Sequence, residues 1–259
     1  MAKKLITTKQ LSILYLLYRF RFLNRLQIQL LLNHKTPNRI NPWLKHLTVN
    51  EFIGRHYLKT YGENNKLAIY HLKTPSKRIL INKPGIINQQ LIKIYKENTR
   101  SEVFRDTSVV VGDCYLYFFA FSKILNNTLH FYTKADQSEF TYLPRTISGV
   151  FLSLTGQEET KYYFLEYLDT RMSKRQQKGI IEIYIKYFDQ GSWQENNKES
   201  FPGIFIVCSD EKVQRLIRRF IKEKLEESYS EIDFYTTLQK NITHDATIQE
   251  IWKKVEQGE

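Results

Sequence analysis

The amino-terminal organisation follows from residues 7–20, which read TTKQLSILYLLYRF. Thr7 and Gln10 have the spacing of a capping box, in which each side chain bonds the backbone N–H of the other residue. Apolar side chains then recur at helical spacing: Leu11, Leu14, Tyr15 and Tyr18. The sequence therefore predicts a helix over residues 8–20 with one apolar face.

Two further helices and a hairpin are predicted downstream. Asn24 is placed to cap a second helix whose apolar positions are Leu26, Leu30 and Leu31. A third helix is predicted over residues 43–51, and the proline in its first turn is either Pro37 or Pro42. Strand-like runs at residues 52–61 and 66–72 flank the polar tip at residues 62–65, which indicates a β-hairpin.

Three short helices followed by a hairpin is the order of a winged helix-turn-helix, whose third helix enters the DNA major groove. Asn and Arg pair with base edges, whereas Lys mostly contacts phosphate. The predicted DNA-binding residues lie on the third helix, its flank and the wing: Lys35, Asn38, Arg39, Asn41, Lys45, His46, Arg55, His56 and Lys59. A role of the module in dimerisation or partner docking is the alternative.

The charge distribution favours DNA as the ligand. Residues 1–100 contain 19 lysines and arginines against Glu51, Glu63 and Glu97, a net charge of +16. Residues 101–259 contain 20 basic and 24 acidic residues, a net charge of −4. Such asymmetry indicates two modules, of which the first faces a polyanion. We expect domains at residues 1–80 and 101–259, with a helical connector at 81–100.

The first module resembles the replication-relaxation family over residues 5–80. Ile6 to Leu11, Leu14 to Leu23 and Gln27-Ile28 carry the likeness. It continues through these later segments: Leu31-Leu32, Asn41 to Leu47, Phe52 to Arg55 and Ile69 to Leu72. Members of that family are encoded on plasmids and other mobile elements and are associated with plasmid replication, relaxation and mobilisation. The resemblance implies a winged helix that binds double-stranded DNA, followed by a nuclease-like domain.

The second module is predicted to be a restriction-endonuclease-like (PD-(D/E)xK) α/β domain. A helix at residues 101–125 precedes strands at 129–133, 146–154 and 162–168. A helix at 174–189, a buried strand at 203–208, a helix at 210–226, a strand at 232–235 and a helix at 245–255 follow. Nucleases of that fold carry a metal-binding Asp on the second strand and Glu-x-Lys on the third, and Glu166 falls at the glutamate position.

The other nuclease residues are missing. The best-aligned position for the Asp is Ser148, Leu168 stands where Lys is expected, and Asp169 is one residue out of register. Mg²⁺ prefers several oxygen ligands, so this set makes a poor site. We therefore expect a degenerate domain without a cofactor. Mg²⁺ or Mn²⁺ enters only under the alternative of a metal-dependent endonuclease that uses Glu166 and Asp169.

Composition and motifs exclude several other classes. Cys114 and Cys208 lie far apart in sequence and neither belongs to a metal-ligand pair, which argues against a zinc finger or a disulfide scaffold. There is no phosphate-binding loop, no dinucleotide-binding glycine motif and no paired histidine spacing. No apolar run approaches a membrane span and Met1 is followed by no secretory signal, so we expect a cytoplasmic protein without membrane contact.

The sequence thus predicts a sequence-specific double-stranded DNA-binding protein, and the resemblance implies that it belongs to a plasmid or other mobile element and acts in replication, relaxation or mobilisation. A winged-helix transcriptional repressor is a third interpretation. The protein partner is left open between a relaxase, a replication protein and a second protomer.

Overall fold

The computed structural model describes residues 6–57, 68–146, 149–228, 231–243 and 251–256. Helices and strands are both well represented, so the α/β class is confirmed. The chain divides into two compact units at Gly112 and Asp113, within the long helix α6 (Glu102–Ile124). No helix of the described residues is both long and apolar enough to cross a membrane.

The first unit holds three helices and a three-stranded antiparallel sheet before the connector. The elements are α1 (Thr8–Phe20), β1 (Phe22–Asn24), α2 (Arg25–Leu31), α3 (Ile40–Val49), β2 (Ile53–His56) and β3 (Ile69–Leu72). The strand order is β1-β3-β2, so β3 pairs with both neighbours. The predicted hairpin tip at 62–65 lies outside the described residues.

Capping explains where the first two helices begin. The Thr7 hydroxyl accepts from Gln10 N, and the Gln10 side chain accepts from Thr7 N, which confirms the predicted capping box. Asn24 and Gln27 form a second box at the start of α2. Both helices therefore start where a side chain satisfies backbone N–H groups that have no partner within the helix.

One prediction in this unit is corrected, and one strand was missed. Helix α3 begins at Ile40, not at Trp43, and Pro42 is its third residue, where a helix needs no backbone N–H. The strand β1 was not predicted, because three residues are too few to show an alternating pattern. Its pairing with β3 is a long-range contact that the local sequence does not signal.

The connector is mostly short turns of helix rather than one element. Residues 81–100 contain α5 (Asn88–Ile92) and the 3₁₀ helix Lys93–Thr99, and they follow the 3₁₀ helix Thr74–Ser76 and α4 (Lys77–Leu80). The break between α4 and α5 includes Pro84-Gly85, and Gly85 has a φ of +73°. The Tyr18 hydroxyl accepts from Ile87 N, which anchors the start of α5 on α1.

The second unit is built on a six-stranded mixed sheet with the order β4-β5-β6-β7-β8-β9. The strands are β4 (Thr128–Tyr132), β5 (Val150–Thr155), β6 (Thr160–Leu168), β7 (Gly203–Cys208), β8 (Phe234–Leu238) and β9 (Lys253–Lys254). β4, β5 and β6 pair antiparallel, β6, β7 and β8 pair parallel, and β9 is antiparallel to β8. The crossovers of the parallel strands contain α7 (Lys174–Asp189), α8 (Ser192–Asn196) and α9 (Glu211–Ser228).

Side-chain alternation along β6 separates the two faces of this sheet. Phe164 packs against Tyr184 of α7, with ring centroids 5.1 Å apart. Tyr163 points the other way and stacks on Phe205 at 4.5 Å, and Phe205 in turn contacts Phe118 of α6. Glu166 has the same parity as Phe164 and therefore faces α7.

The predicted last helix, at residues 245–255, is wrong where the chain is described. Lys253 and Lys254 pair with Thr236 and Tyr235 as strand β9, and Val255 N donates to Phe234 O. Residues 244–250 lie outside the described residues. Strand β8 supplies hydrogen-bond partners for the backbone of residues 253–255. This tertiary pairing overrides the local helical pattern.

Candidate functional site

The outward face of α3 is polar and basic. Ile40, Leu44 and Leu47 are buried, which fixes the orientation of the helix. The opposite side and the preceding turn expose five of the predicted DNA-binding residues: Lys35, Asn38, Arg39, Asn41 and Lys45. We call these five residues the α3 face.

An exposed apolar residue that sequence analysis missed lies on the same side of α3. Val49 is 70% exposed and lies four residues beyond Lys45, which is itself four beyond Asn41, so the three share one side of the helix. The spacing of four residues from Asn41 to Lys45 and from Lys45 to Val49 was the signal in the sequence that could have identified Val49. An exposed aliphatic side chain on such a face suits contact with a thymine methyl group.

Acidic side chains do not neutralise this surface. In the described part of residues 6–100, the two carboxylates are Glu51 and Glu97. Glu51 accepts from Lys73 Nζ at 3.0 Å, and the buried Glu97 is paired with Arg21. No ion pair joins Lys35, Arg39 or Lys45 to any described carboxylate. The cations of the α3 face are therefore available to a polyanion.

The predicted histidines have other contacts. His46 is half-buried, and its Nδ1 lies 2.9 Å from Gln10 Nε2, so the ring ties α3 to α1. His56 is also half-buried and stacks on the buried His71 of β3. Burial and the nearby Arg105 guanidinium lower the pKa of His56. Neither ring is among the exposed residues of the α3 face.

Arg55 is the predicted wing residue that is both exposed and within the described ranges. Its guanidinium lies 5.0 Å from the Tyr57 ring centroid, and Tyr57 is itself exposed. Arg55 alternates with His56 along β2, so the two side chains point to opposite faces of the sheet. Lys59 lies outside the described residues.

Glu166 lies in a buried cluster of hydroxyl groups in the second unit. Its side chain is 1% exposed, and its Oε1 accepts from Thr146 Oγ1 and, at 2.6 Å, from Tyr184 Oη. Burial and the adjacent Glu166 carboxylate raise the pKa of Tyr184 well above its usual value, so that hydroxyl stays a donor. Thr146 and Tyr184 were not predicted as partners, because only the folded sheet and α7 bring them to Glu166.

Asp169 is occupied by a neighbouring arginine. Its Oδ1 accepts from Arg171 Nε and Arg171 N, both at 2.8 Å, and its Oδ2 accepts from Arg171 Nη2 at 2.5 Å. Burial acts to raise the pKa of Asp169, but the hydrogen bonds from Arg171 outweigh it and hold the pKa below its usual value. Both carboxylate oxygens therefore have strong donors.

These side chains do not form a divalent-metal centre. Within the described ranges, no three His, Cys, Asp or Glu side chains come together in a way that could hold a metal ion. Leu168, where the nuclease motif has lysine, is fully buried. Ser148, the position aligned with the nuclease Asp, lies outside the described residues. The donors that are described do not fit Mg²⁺, which needs several convergent oxygens.

Comparisons of the chain with protein-family models, with curated proteins and with solved structures gave no match. The geometry of the α3 face and of the Glu166 cluster is therefore the basis for a functional interpretation.

Proposed function

We propose that the chain is a sequence-specific double-stranded DNA-binding protein in which residues 6–80 act as a winged helix. The observation that carries the proposal is the α3 face, where exposed amide and cationic side chains lie together and no described carboxylate pairs with the cations. The element order α1-β1-α2-α3-β2-β3 supports the same interpretation. In this proposal α3 enters the major groove and the β2–β3 hairpin lies beside it.

In this proposal the residue types of the α3 face have different roles in DNA binding. Arg39 and Asn41 have the donor and acceptor geometry to read guanine and adenine edges. Lys35 and Lys45 supply charge to phosphates, which contributes affinity without sequence information. Because His46 is held by Gln10, we assign it to packing between α1 and α3 rather than to DNA.

We propose that the second unit is a degenerate nuclease-like domain that serves as a scaffold or partner-binding element. The order α6, three antiparallel strands, α7 and a parallel strand supports this. The bonding of Glu166 to Thr146 and Tyr184, and of Asp169 to Arg171, supports a structural role for both carboxylates. By its resemblance, the protein would act in replication, relaxation or mobilisation of a mobile element.

Fluorescence anisotropy with a mixed-sequence duplex of about 30 base pairs tests the DNA-binding proposal, with salt varied between about 50 and 200 mM. Arg39→Ala/Lys45→Ala should weaken binding at least tenfold and flatten the slope of log affinity against log salt by about one to two units. Lys186→Ala/Lys198→Ala, which removes two exposed lysines of the second unit, is the matched control. Equal binding by the Arg39/Lys45 variant and the parent would remove α3 from the interface.

A further inference from the structure

The end of the connector shows a burial period of three. Leu91, Ile94 and Glu97 are buried, and the residues between them are exposed. A 3₁₀ helix has three residues per turn, so side chains three apart lie directly above one another. Because Lys93–Thr99 is such a helix, this segment presents straight rows of side chains.

Two of these rows face solvent side by side. One row holds Ile92, Tyr95 and Asn98, in which Ile92 is 55% and Tyr95 61% exposed. The other row holds Lys93, Lys96 and Thr99, all of them exposed. We call these six residues the Tyr95 strip. At a rise of about 2 Å per residue, Lys93 and Lys96 are spaced about 6 Å along the helix axis.

The strip is cationic because the carboxylate of this 3₁₀ helix, Glu97, lies on its buried side. Glu97 is buried against Arg21 at the end of α1, so it does not neutralise the exposed lysines. Lys93 and Lys96 form no ion pair with a carboxylate anywhere in the described part of the chain. The Lys96 ammonium lies over the Tyr95 ring, 5.5 Å from its centroid, which places a cation next to an exposed aromatic side chain.

The strip is also held in place before any ligand binds. The Arg21–Glu97 ion pair fixes the 3₁₀ helix to α1, and the bond from Ile87 N to the Tyr18 hydroxyl fixes the start of α5 to the same helix. A surface that is already ordered loses less entropy on binding than a mobile one.

We infer that the Tyr95 strip binds single-stranded DNA, with phosphates along the lysine row and an unpaired base on the Tyr95 ring. Alternating cationic and aromatic contacts are how proteins hold single strands without reading their sequence. In a duplex each base face is covered by the next base pair, so an exposed tyrosine has no base face to stack on. This inference adds a second surface to the proposed DNA-binding function, and the two surfaces are tested separately.

The experiment uses the full chain with a labelled oligothymidylate of about 20 nucleotides and a duplex of about 20 base pairs. Tyr95→Ala should weaken oligothymidylate binding about tenfold, whereas Tyr95→Phe, which keeps the ring, should bind within about twofold of the parent. Lys93→Ala/Lys96→Ala should also weaken it and flatten its salt slope by about 1.4 units. Lys186→Ala/Lys198→Ala again controls for loss of two surface charges.

The same titrations separate this inference from the proposed role of α3. Arg39→Ala/Lys45→Ala should lose affinity for the duplex and keep its affinity for oligothymidylate. Tyr95→Ala should lose affinity for oligothymidylate and keep its affinity for the duplex. Failure of the parent to bind oligothymidylate, or unchanged binding by both Tyr95→Ala and the double lysine variant, would overturn the inference. Neither result depends on whether α3 binds the duplex.

Discussion

The imidazole rings of His56 and His71 stack on each other, with centroids 4.6 Å apart and planes inclined by 25°. His71 lies opposite Gly54 on one side and Phe22 on the other, and the Phe22 ring centroid is 5.5 Å from that of His71. Burial lowers the pKa of His71 to about 3, and His56, Lys73 and Arg105 add to the effect. Two neutral histidines are thus built into the sheet of the first unit.

The buried His71 should make the first unit acid-sensitive. An unfolded histidine titrates near pH 6.5, so between pH 6.5 and about 3 the unfolded chain binds a proton that the folded chain excludes. The unfolded state then binds more protons than the folded state. The contribution of His71 to the free energy of unfolding should therefore be complete above pH 6.5 and decrease as the pH falls below it. Urea titrations across this range should show the fall, and His71→Phe should reduce its slope.

The matched control for this titration is His130→Gln, which removes an exposed histidine of the second unit. It should leave the pH dependence unchanged. If His71→Phe and the parent lose stability in parallel as the pH falls, His71 is not the group responsible.

Gly54 should not tolerate a side chain. A Cβ at this position would lie 2.5 Å from His71 Nε2, and the ring is held by Phe22 and His56, so it cannot easily move away. Gly54→Ala should therefore destabilise the protein by about 1–3 kcal/mol in urea unfolding. Gly179→Ala in α7, where a Cβ meets nothing within 4 Å, should instead stabilise by about 0.5–1 kcal/mol. Equal effects of the two substitutions would contradict the steric argument.

The bond from Tyr184 to Glu166 should contribute measurably to stability. Tyr184→Phe removes a donor from a buried carboxylate, which typically costs about 1–3 kcal/mol. Tyr187 on the same helix carries a buried hydroxyl that makes no hydrogen bond to the described residues. Tyr187→Phe should therefore be close to neutral in the same urea titration. A Tyr184→Phe variant as stable as the parent would show that the hydroxyl is dispensable.

The protein should shift supercoiled plasmid on a gel without cutting it. Glu166 is buried with Thr146 and Tyr184, and Asp169 is bound by Arg171, so neither is arranged to share a metal ion with the other. Incubation in Mg²⁺ and then in Mn²⁺ should leave the plasmid intact, and the gel shift should weaken as salt rises. Nicking by the parent that disappears in Glu166→Ala would instead establish the endonuclease alternative.

Local chemistry made several elements predictable. The box of Thr7 and Gln10 marked the start of α1, and the apolar spacing after Ser173 located α7 at Lys174–Asp189 as predicted. The apolar run Gly203–Cys208 was predicted as a buried strand and is β7. These signals are readable because a helix cap or a short apolar run depends on neighbours a few residues away.

Part of the DNA-binding prediction rests on the same local logic. Helical spacing from Leu44 and Leu47 leaves Asn41 and Lys45 on the exposed side, where the structure has them. His46 and His56 could not be sorted in this way, because a half-buried histidine is polar in sequence and its partners, Gln10 and His71, come from distant elements.

The sequence by itself therefore determined the helices with strong caps, the buried strand β7, the basic amino-terminal half and the exposed positions of Asn41 and Lys45 on α3. Only the tertiary structure decided the pairing of β1 with β3 and of β9 with β8. It also decided the period-three exposure of the Tyr95 strip and the partners of Glu166. The physical reason is the sequence separation of the residues that interact. Caps and hydrophobic periodicity act within one or two turns, whereas sheet edges, buried carboxylates and ring stacking depend on residues that only the folded chain brings together.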